Sequence, residues 1–288
     1  MRWQGRRGSR NIEDRRGRRA GGRGGKGMTG GIGGLGLIAV VLIGWFFGVD
    51  VTPLLQGGGG FDTGSAGQPV SEAERREGEF VSVVLADTEE VWTALFREQV
   101  GEAYRQPVLV LFSGVTQSPC GGASGATGPF YCPADRKAYL DTAFFTTLER
   151  QLGAKGDFAA AYVIAHEVAH HVQNELGILG QANRIRAQAS EERSNAVSVR
   201  VELQADCLAG IWAREAQARF GTLERGDLEE AVNAARRIGD DALQRSAGRV
   251  PMPHTFTHGT SEQRARWFAT GYEEGRIAAC DTFSAQRL

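Results

Sequence analysis

The residues best suited to chemistry lie in the stretch AYVIAHEVAHHVQNELG, where His166, Glu167 and His170 form the pattern His-Glu-x-x-His. Residues four apart share one face of a helix, so the imidazoles of His166 and His170 can bind one metal ion. Glu167 neighbours that face, where its carboxylate can hold and deprotonate a water molecule. The small apolar residues before the motif predict a buried helix, which we expect to begin near Asp157 and to end near Gly177. The pattern therefore predicts a zinc site.

A catalytic zinc ion usually takes three protein ligands and keeps a further position for water, so one ligand must come from elsewhere. The histidine directly after the motif, His171, points about 100° away from His170 on a helix. We expect His171 to face solvent or a neighbouring helix rather than the metal.

A second long helix is predicted from Ser190 to Gly221, and on it Glu202 and Asp206 lie four residues apart among apolar neighbours. A solvated surface pair is the alternative, but carboxylates in so apolar a stretch favour a buried partner. We predict that Glu202 is the third zinc ligand. Asp206, one turn on, would then accept the free ring N–H of His166 and orient that ring.

The composition predicts one globular domain with appendages. The chain has 288 residues, of which 41% are hydrophobic, and a formal net charge of −1. Ten basic and two acidic side chains give residues 1–27 a net charge of +8, and they show no apolar periodicity. We predict a disordered tail there. The rest of the chain then carries −9, which argues against nucleic acid as a partner of the domain.

Residues 28–50 have the composition of a transmembrane helix. No charged residue lies between Lys26 and Asp50, and the apolar run is close to the length that a bilayer requires. The basic tail before it predicts a cytoplasmic N-terminus and an exported domain, as in a single-pass protein of the cytoplasmic (inner) membrane with its catalytic domain in the periplasm. A cleaved signal peptide is the alternative, but no small-x-small cleavage pattern follows. The arginines themselves could instead bind nucleic acid or anionic lipid.

The remaining chain predicts a flexible glycine-rich linker over residues 51–78 and a domain over residues 79–288. Asp87 and Asp141 are candidate N-caps of two helices, and PVLVLF reads as a strand. Segments on both sides of a CPAD turn add a small amount of sheet, and nearly everything after Asp157 has a helical pattern. The predicted fold class is α+β, mostly helical, with a small sheet.

Four cysteines fit an oxidising compartment, where an even number can pair. Cys120 and Cys132 bracket a short loop and are the favoured pair, which leaves Cys207 with Cys280. Three connectivities remain formally possible. Neither pair has the Cys-x-x-Cys spacing of a zinc knuckle.

The segments HEVAHHVQ, VELQADCLAGIWA, GDFAAAYVIAHE and FTHGTSEQRARWF, with GRRGSRNIEDRRG and GPFYCPADRKAYLD, resemble the neutral zinc metallopeptidase family of bacterial single-pass membrane proteins. The resemblance covers nearly the whole chain apart from the linker. More distantly, Glu-x-x-x-Asp after His-Glu-x-x-His is similar to the gluzincin endopeptidases, which include the HtpX-like and CaaX-processing enzymes. The resemblance implies a zincin-like domain with one zinc ion.

The distant relatives carry Thr-His-Pro with an arginine six residues after the histidine, and THGTSEQR places His258 and Arg264 at that separation. Gly259 stands where those relatives have proline. Thr260 and Gln263 form a capping-box pattern, so His258 would lie just before a helix. The resemblance implies that His258 and Arg264 donate to the oxyanion of the transition state. A loop histidine without a role and a structural ion pair are the alternatives.

Together these features predict a membrane-anchored zinc metallopeptidase that hydrolyses peptide bonds of extracytoplasmic proteins or peptides, with Glu167 as the general base. An extended substrate could pair with an edge strand, for which KAYLD is a candidate. Two other functions stay open. One is a membrane-anchored binding or assembly protein with a structural or vestigial zinc site, and the other is a zinc hydrolase that acts on a non-peptide bond.

Overall fold

The sheet is mixed and small. The computed structural model describes residues 1–17, 69–124 and 128–288. The strands it contains are β1 Ile12–Asp14, β2 Val108–Phe112, β3 Val115–Ser118, β4 Gly121–Ser124, β5 Phe130–Cys132 and β6 Lys137–Asp141. Four of them form one sheet in the order β1-β2-β6-β5, in which β5 runs antiparallel to β6 and the other neighbours are parallel. The other two, β3 and β4, form a separate antiparallel hairpin.

Eight α-helices lie in the described ranges and make up most of the fold. They are α1 Glu72–Leu95, α2 Ala143–Arg150, α3 Asp157–Glu175, α4 Ile178–Arg186, α5 Glu191–Phe220, α6 Asp227–Arg237, α7 Asp240–Ser246 and α8 Ser261–Glu274. A π-helical turn at Phe96–Val100 follows α1, and 3₁₀ turns lie at Pro253–Thr255 and Ile277–Cys280. The predicted α+β class, mostly helical with a small sheet, describes this domain.

Helix α3 lies at the centre of the helical layer and packs against α1, α5 and α6. Its apolar residues belong to the main core, where Phe158 stacks on Trp212 of α5 with ring centroids 5.8 Å apart. Helices α5 and α8 approach each other at two glycines. A Cβ atom on Gly210 would lie 2.0 Å from the Phe268 carbonyl oxygen, and one on Gly271 would lie 1.8 Å from that of Cys207. The two helices therefore pack almost backbone to backbone.

Helix ends follow the sequence in α5 and α8. Ser190 caps α5 and Gly221 ends it in the left-handed conformation, while Thr260 and Gln263 form the capping box of α8. The prediction that Asp87 is the N-cap of a helix is wrong, because this residue lies buried in the middle of α1. Helix α1 instead begins with a capping box at Ser71, inside the stretch expected to be a linker.

The N-terminal segment is part of the domain. Strand β1 pairs in parallel with β2, and the Met1 ammonium lies 2.6 Å from an Asp157 carboxylate oxygen at the start of α3. Arg6 forms an ion pair with the buried Asp87 of α1. The prediction of a disordered tail is therefore wrong for residues 1–17. Ion pairs and strand pairing hold this segment, and neither kind of contact produces an apolar periodicity in the sequence.

The same packing corrects the predicted membrane topology. A chain that crossed a membrane once between residues 28 and 50 would leave residues 1–17 and the domain on opposite sides, where they could not pair as they do. Within residues 1–17, 69–124 and 128–288, no helix combines the length and apolar character that a membrane crossing requires. The predicted span itself lies outside these ranges. The predictions of a transmembrane helix before the domain and of a single-pass inner-membrane location are therefore wrong.

Two disulfides close loops of the domain. Cys120 bonds to Cys132 with an S–S distance of 2.06 Å, and Cys207 bonds to Cys280 at 2.02 Å. This is the connectivity that the sequence favoured. The second bridge fastens the C-terminal segment to the middle of α5.

Candidate metal centre

Helices α3 and α5 bring His166, His170 and Glu202 together. One ligand atom from each residue lies within 4.8 Å of the others, so the three could hold one ion. Glu202 places one oxygen 3.0 Å from His166 Nε2 and the other 3.5 Å from His170 Nε2. Two imidazole nitrogens and a carboxylate oxygen are the donors that a catalytic zinc site uses. The donor set therefore fits zinc.

Glu167 lies beside these ligands with one oxygen unsatisfied. Its Oε2 atom is buried and has no hydrogen-bond partner among the described residues. Burial raises the pKa of this carboxyl against the lowering effect of the His170 and His166 charges. A buried acceptor without a partner is costly, so the site favours a further group that donates a hydrogen bond to this oxygen. A water molecule or a substrate N–H would meet this need.

Asp206 lies behind His166, on the side away from Glu202. Its Oδ1 atom is 2.9 Å from His166 Nδ1, the ring atom that a metal bound at Nε2 leaves free. Burial would raise the pKa of Asp206, but the charges of Arg264 and His166 lower it below the ordinary value. Asp206 is therefore an anion that fixes the ring of His166. The hydroxyl of Tyr162 also donates to it.

The carboxylates around His166 also change its proton affinity. Burial lowers the pKa of His166, but the charge and hydrogen bond of Asp206 and the bond to Glu202 outweigh it and raise the pKa to about 9. The charge of His170 and the bonds from both histidines hold the pKa of Glu202 well below its usual range, although its burial opposes this. A site that attracts a proton so strongly has the negative charge to attract a divalent cation.

Arg264 differs from its expected role. Its guanidinium is buried in α8, donates from Nε and Nη2 to Asp206 at 2.8 and 3.0 Å, and also reaches the Ile238 carbonyl oxygen. These contacts occupy Arg264 behind the histidine ring. The structure therefore does not bring it to the face where an oxyanion would form.

His258 lies in the loop before α8 and is held by Asp240. The backbone N–H groups of Thr257, His258 and Gly259 donate to Asp240 Oδ2, and His258 Nδ1 lies 3.2 Å from Oδ1. Partial burial lowers the pKa of His258, but the bond to Asp240 and the charge of Glu202 raise it above the ordinary value. Gly259 has φ of 93°, which proline cannot adopt, so this loop departs from the Thr-His-Pro pattern of the distant relatives.

His171 is not among the converging ligand residues, as expected, but it is buried rather than exposed or packed against a neighbouring helix. It contacts the Arg105 carbonyl oxygen at 2.6 Å and the Tyr131 hydroxyl at 3.0 Å, on the sheet side of α3. Burial lowers the pKa of this imidazole.

Three residues of this centre were missed by sequence reasoning. Gln173 lies 2.9 Å from His170 Nδ1, Tyr162 contacts Asp206, and Asp240 holds His258. Gln173 follows His170 by three residues and so shares its helical face, which is a signal that the sequence did contain. Tyr162 precedes His166 by four residues in the same way. Asp240 had no such signal, because loop folding alone brings it to His258.

The fold and the site define a class of protein: an α+β domain with a His-Glu-x-x-His helix and a third candidate ligand from a second helix. The chain belongs to the family described as "Putative neutral zinc metallopeptidase", whose model matches residues 1–283. It is 49% identical to "Uncharacterized protein YpfJ" of Escherichia coli K12 over 296 residues, which covers 98% of this chain and 99% of that protein. It is 46% identical to "Uncharacterized protein Rv2575" of Mycobacterium tuberculosis H37Rv over 195 residues, covering 64% of this chain and 65% of that protein.

No solved structure is significantly similar to the chain. None of the matches just given is to the HtpX-like or CaaX-processing enzymes, so that more distant similarity stays a prediction. The family match implies zinc binding and includes residues 1–17. This agrees with the packing of the N-terminal segment on the domain.

Proposed function

We propose that the protein is a zinc-dependent metallopeptidase that hydrolyses peptide bonds in peptides or proteins. His166, His170 and Glu202 would hold one zinc ion, and Glu167 would act as the general base. The observation that carries the proposal is the buried, unpartnered Oε2 of Glu167 next to three convergent ligand atoms. A purely structural metal site needs no such acceptor, and this favours hydrolysis over a binding or assembly role.

Zinc, when bound, supplies a Lewis acid that polarises the scissile carbonyl and lowers the pKa of a water molecule. Glu167 accepts the proton of the attacking water and passes it to the leaving amine, a transfer that its raised pKa favours. Asp206 keeps the ring of His166 in one orientation, and Arg264 keeps Asp206 ionised. Both act through their neighbours, as positioning residues.

His258 supplies a proton donor to the developing oxyanion. Its Nδ1 faces the Asp240 carboxylate and so carries a proton, which means that donation from Nε2 requires the imidazolium form. The raised pKa of His258 supports this form near neutral pH. One such donor is worth about 10² to 10³ in kcat. The side chain is 41% exposed, so a substrate can reach it.

The substrate would pair with β5 rather than with KAYLD. Strand β6, which contains KAYLD, is bonded to β2 on one side and to β5 on the other, so the expectation that it offers a free edge is wrong. β5 ends the strand order and contacts α3, which carries the histidines. An extended peptide that pairs with β5 would lie beside α3 and gain main-chain hydrogen bonds.

The test uses the purified full chain, a peptide library with cleavage sites mapped by mass spectrometry, and zinc content measured by elemental analysis. We expect one zinc per chain and cleavage of peptide bonds. E167Q should keep zinc and lose cleavage by roughly 10³-fold or more, while H166A should lose both. A zinc-loaded protein that cleaves no peptide, or undiminished turnover in E167Q, would overturn the proposal.

A further inference from the structure

A chain of buried amides lies behind His170, on the side away from the candidate metal position. Gln173 has no exposed surface, and its Oε1 atom lies 2.9 Å from His170 Nδ1. Gln173 Nε2 donates to the Val201 carbonyl oxygen at 2.7 Å and to Gln204 Oε1 at 3.0 Å. Gln204 Nε2 in turn donates to the Cys280 carbonyl oxygen at 3.0 Å.

Two main-chain carbonyl oxygens fix the orientation of the two side-chain amides. A carbonyl oxygen can only accept, so the Val201 oxygen requires the NH₂ group of Gln173 and the Cys280 oxygen requires the NH₂ group of Gln204. Both amide orientations are therefore determined. The oxygen of Gln173 must then face His170, and only a protonated Nδ1 can donate to it.

A neutral imidazole protonated at Nδ1 has its lone pair on Nε2. This is the nitrogen of His170 that lies 3.5 Å from Glu202, on the side of the candidate ligands. The amide chain thus selects the tautomer that a metal at this position requires. The ring of His166 is held by the Asp206 carboxylate, whereas the ring of His170 is held by the neutral amide of Gln173. The amides of Gln173 and Gln204 add no charge to the core.

We propose that Gln173 is the positioning residue for the metal ligand His170, and that Gln204 fixes Gln173 to the C-terminal segment closed by the Cys207–Cys280 disulfide. This inference rests on the metal site of the proposed function. A glutamine buried only to fill space would be replaceable by a methionine of similar length without effect on the metal. A positioning glutamine is not, because its loss frees the ring of His170 to rotate and to change tautomer.

The test is zinc affinity, measured by chelator competition on the full zinc-loaded chain. Q173M should weaken zinc binding 10- to 100-fold, the usual cost of removing a partner behind a metal ligand. Q173E keeps an acceptor for His170 Nδ1, and burial against the Val201 carbonyl oxygen favours its protonated form, which also supplies a donor, so it should restore part of the affinity lost in Q173M. Q204M should weaken binding less than Q173M, because the Val201 carbonyl still holds Gln173.

Q244M is the matched control. Gln244 is also buried and also bridges two groups, Thr255 Oγ1 and the Met252 N–H, neither of which belongs to a candidate ligand. Its substitution should leave zinc affinity unchanged. A second readout is the Nδ1–H proton of His170 in protein with ¹⁵N-labelled histidine. It should be protected from solvent exchange in the wild type and in Q244M, and exchange-broadened in Q173M.

The outcomes separate the two proposals. A wild-type chain that binds no zinc overturns the metal site and this inference with it. A wild-type chain that binds zinc, with Q173M within twofold of it and the Nδ1–H proton still protected, overturns the inference alone. If Q173M does not fold, Q204M decides the matter: wild-type zinc affinity in Q204M, with the Nδ1–H proton of His170 as protected as in the wild type, also overturns the inference.

Discussion

Arg264 and Asp206 form a bidentate ion pair, with Nε and Nη2 of the guanidinium 2.8 and 3.0 Å from the two carboxylate oxygens. The side chains are 2% and 0% exposed, so the pair lies in the core, directly behind the ring of His166. The pair joins α8 to α5, and Asp206 in turn contacts His166 on α3. It is the structural ion pair that the sequence left open as the alternative to an oxyanion donor.

Replacement of Arg264 should destabilise the fold and weaken zinc binding. R264M leaves the Asp206 carboxylate buried without its partner, which costs about 3–5 kcal/mol. Urea unfolding measures the loss of stability, and chelator competition measures zinc affinity. R276M is the control, because Arg276 and Glu274 form an exposed pair whose loss should cost about 1 kcal/mol or less. Equal losses in the two variants would contradict a structural role for the buried pair.

The contact between α5 and α8 should not tolerate a methyl group. In G271A the new Cβ would lie 1.8 Å from the Cys207 carbonyl oxygen, so the helices must separate, at a cost of about 3 kcal/mol or more. Thermal unfolding measures this loss. G180A in α4 is the control, since its Cβ would meet nothing closer than 3.7 Å. That change should stabilise the protein by about 0.5–1 kcal/mol. A neutral G271A would show that the close approach is wrong.

Replacement of His258 should reduce catalysis without loss of metal. H258A removes the proposed oxyanion donor, so kcat should fall about 10²-fold while zinc affinity stays within a fewfold of the wild type. D240N should show part of this loss. The alkaline limb of its pH–rate profile should also shift to lower pH, because the Asp240 carboxylate raises the pKa of His258. H254A is the control, as the exposed side chain of His254 lies outside the site. An H258A enzyme with unchanged kcat would remove His258 from the mechanism.

Opening of the Cys207–Cys280 disulfide should loosen the metal site. The bridge closes a loop of 73 residues and so contributes about 4 kcal/mol on a chain-entropy basis. It also fixes the carbonyl that Gln204 uses. C207A/C280A should therefore lose zinc faster to a chelator than the wild type. C120A/C132A removes the bridge of 12-residue separation and should retain zinc normally. Equal retention in both double variants, or no effect of a reductant, would count against this coupling.

Stability should fall as the pH rises above 8. Burial lowers the pKa of the Met1 ammonium, but the hydrogen bond and charge of Asp157 outweigh it and raise the pKa above the ordinary 8.0. A raised pKa in the folded state gives stability that is complete below 8.0 and is lost as the pH rises through the folded value. Urea unfolding between pH 7 and 10 measures this slope, and D157N should flatten it. An equal slope in D157N would exclude the Met1–Asp157 pair as its source.

Local rules in the sequence determined the elements that carry the candidate site. Ser190 and Gly221 marked the ends of the second helix, and the Thr260–Gln263 box marked the start of α8. These patterns are readable because a helix repeats every 3.6 residues and its ends need specific caps. For the same reason, His166 shares a helical face with His170, and Glu202 shares one with Asp206.

Only the tertiary structure decided which groups meet across the fold. It pairs β1 with β2 some hundred residues away, encloses KAYLD between two strands, and pairs Arg264 with Asp206 behind the ring of His166. Strand order and buried ion pairs join residues far apart in the chain, and such contacts leave no periodic pattern in the sequence. For the same reason, residues 1–17 read as a charged tail, although their amine, arginine and backbone contacts make them part of the domain.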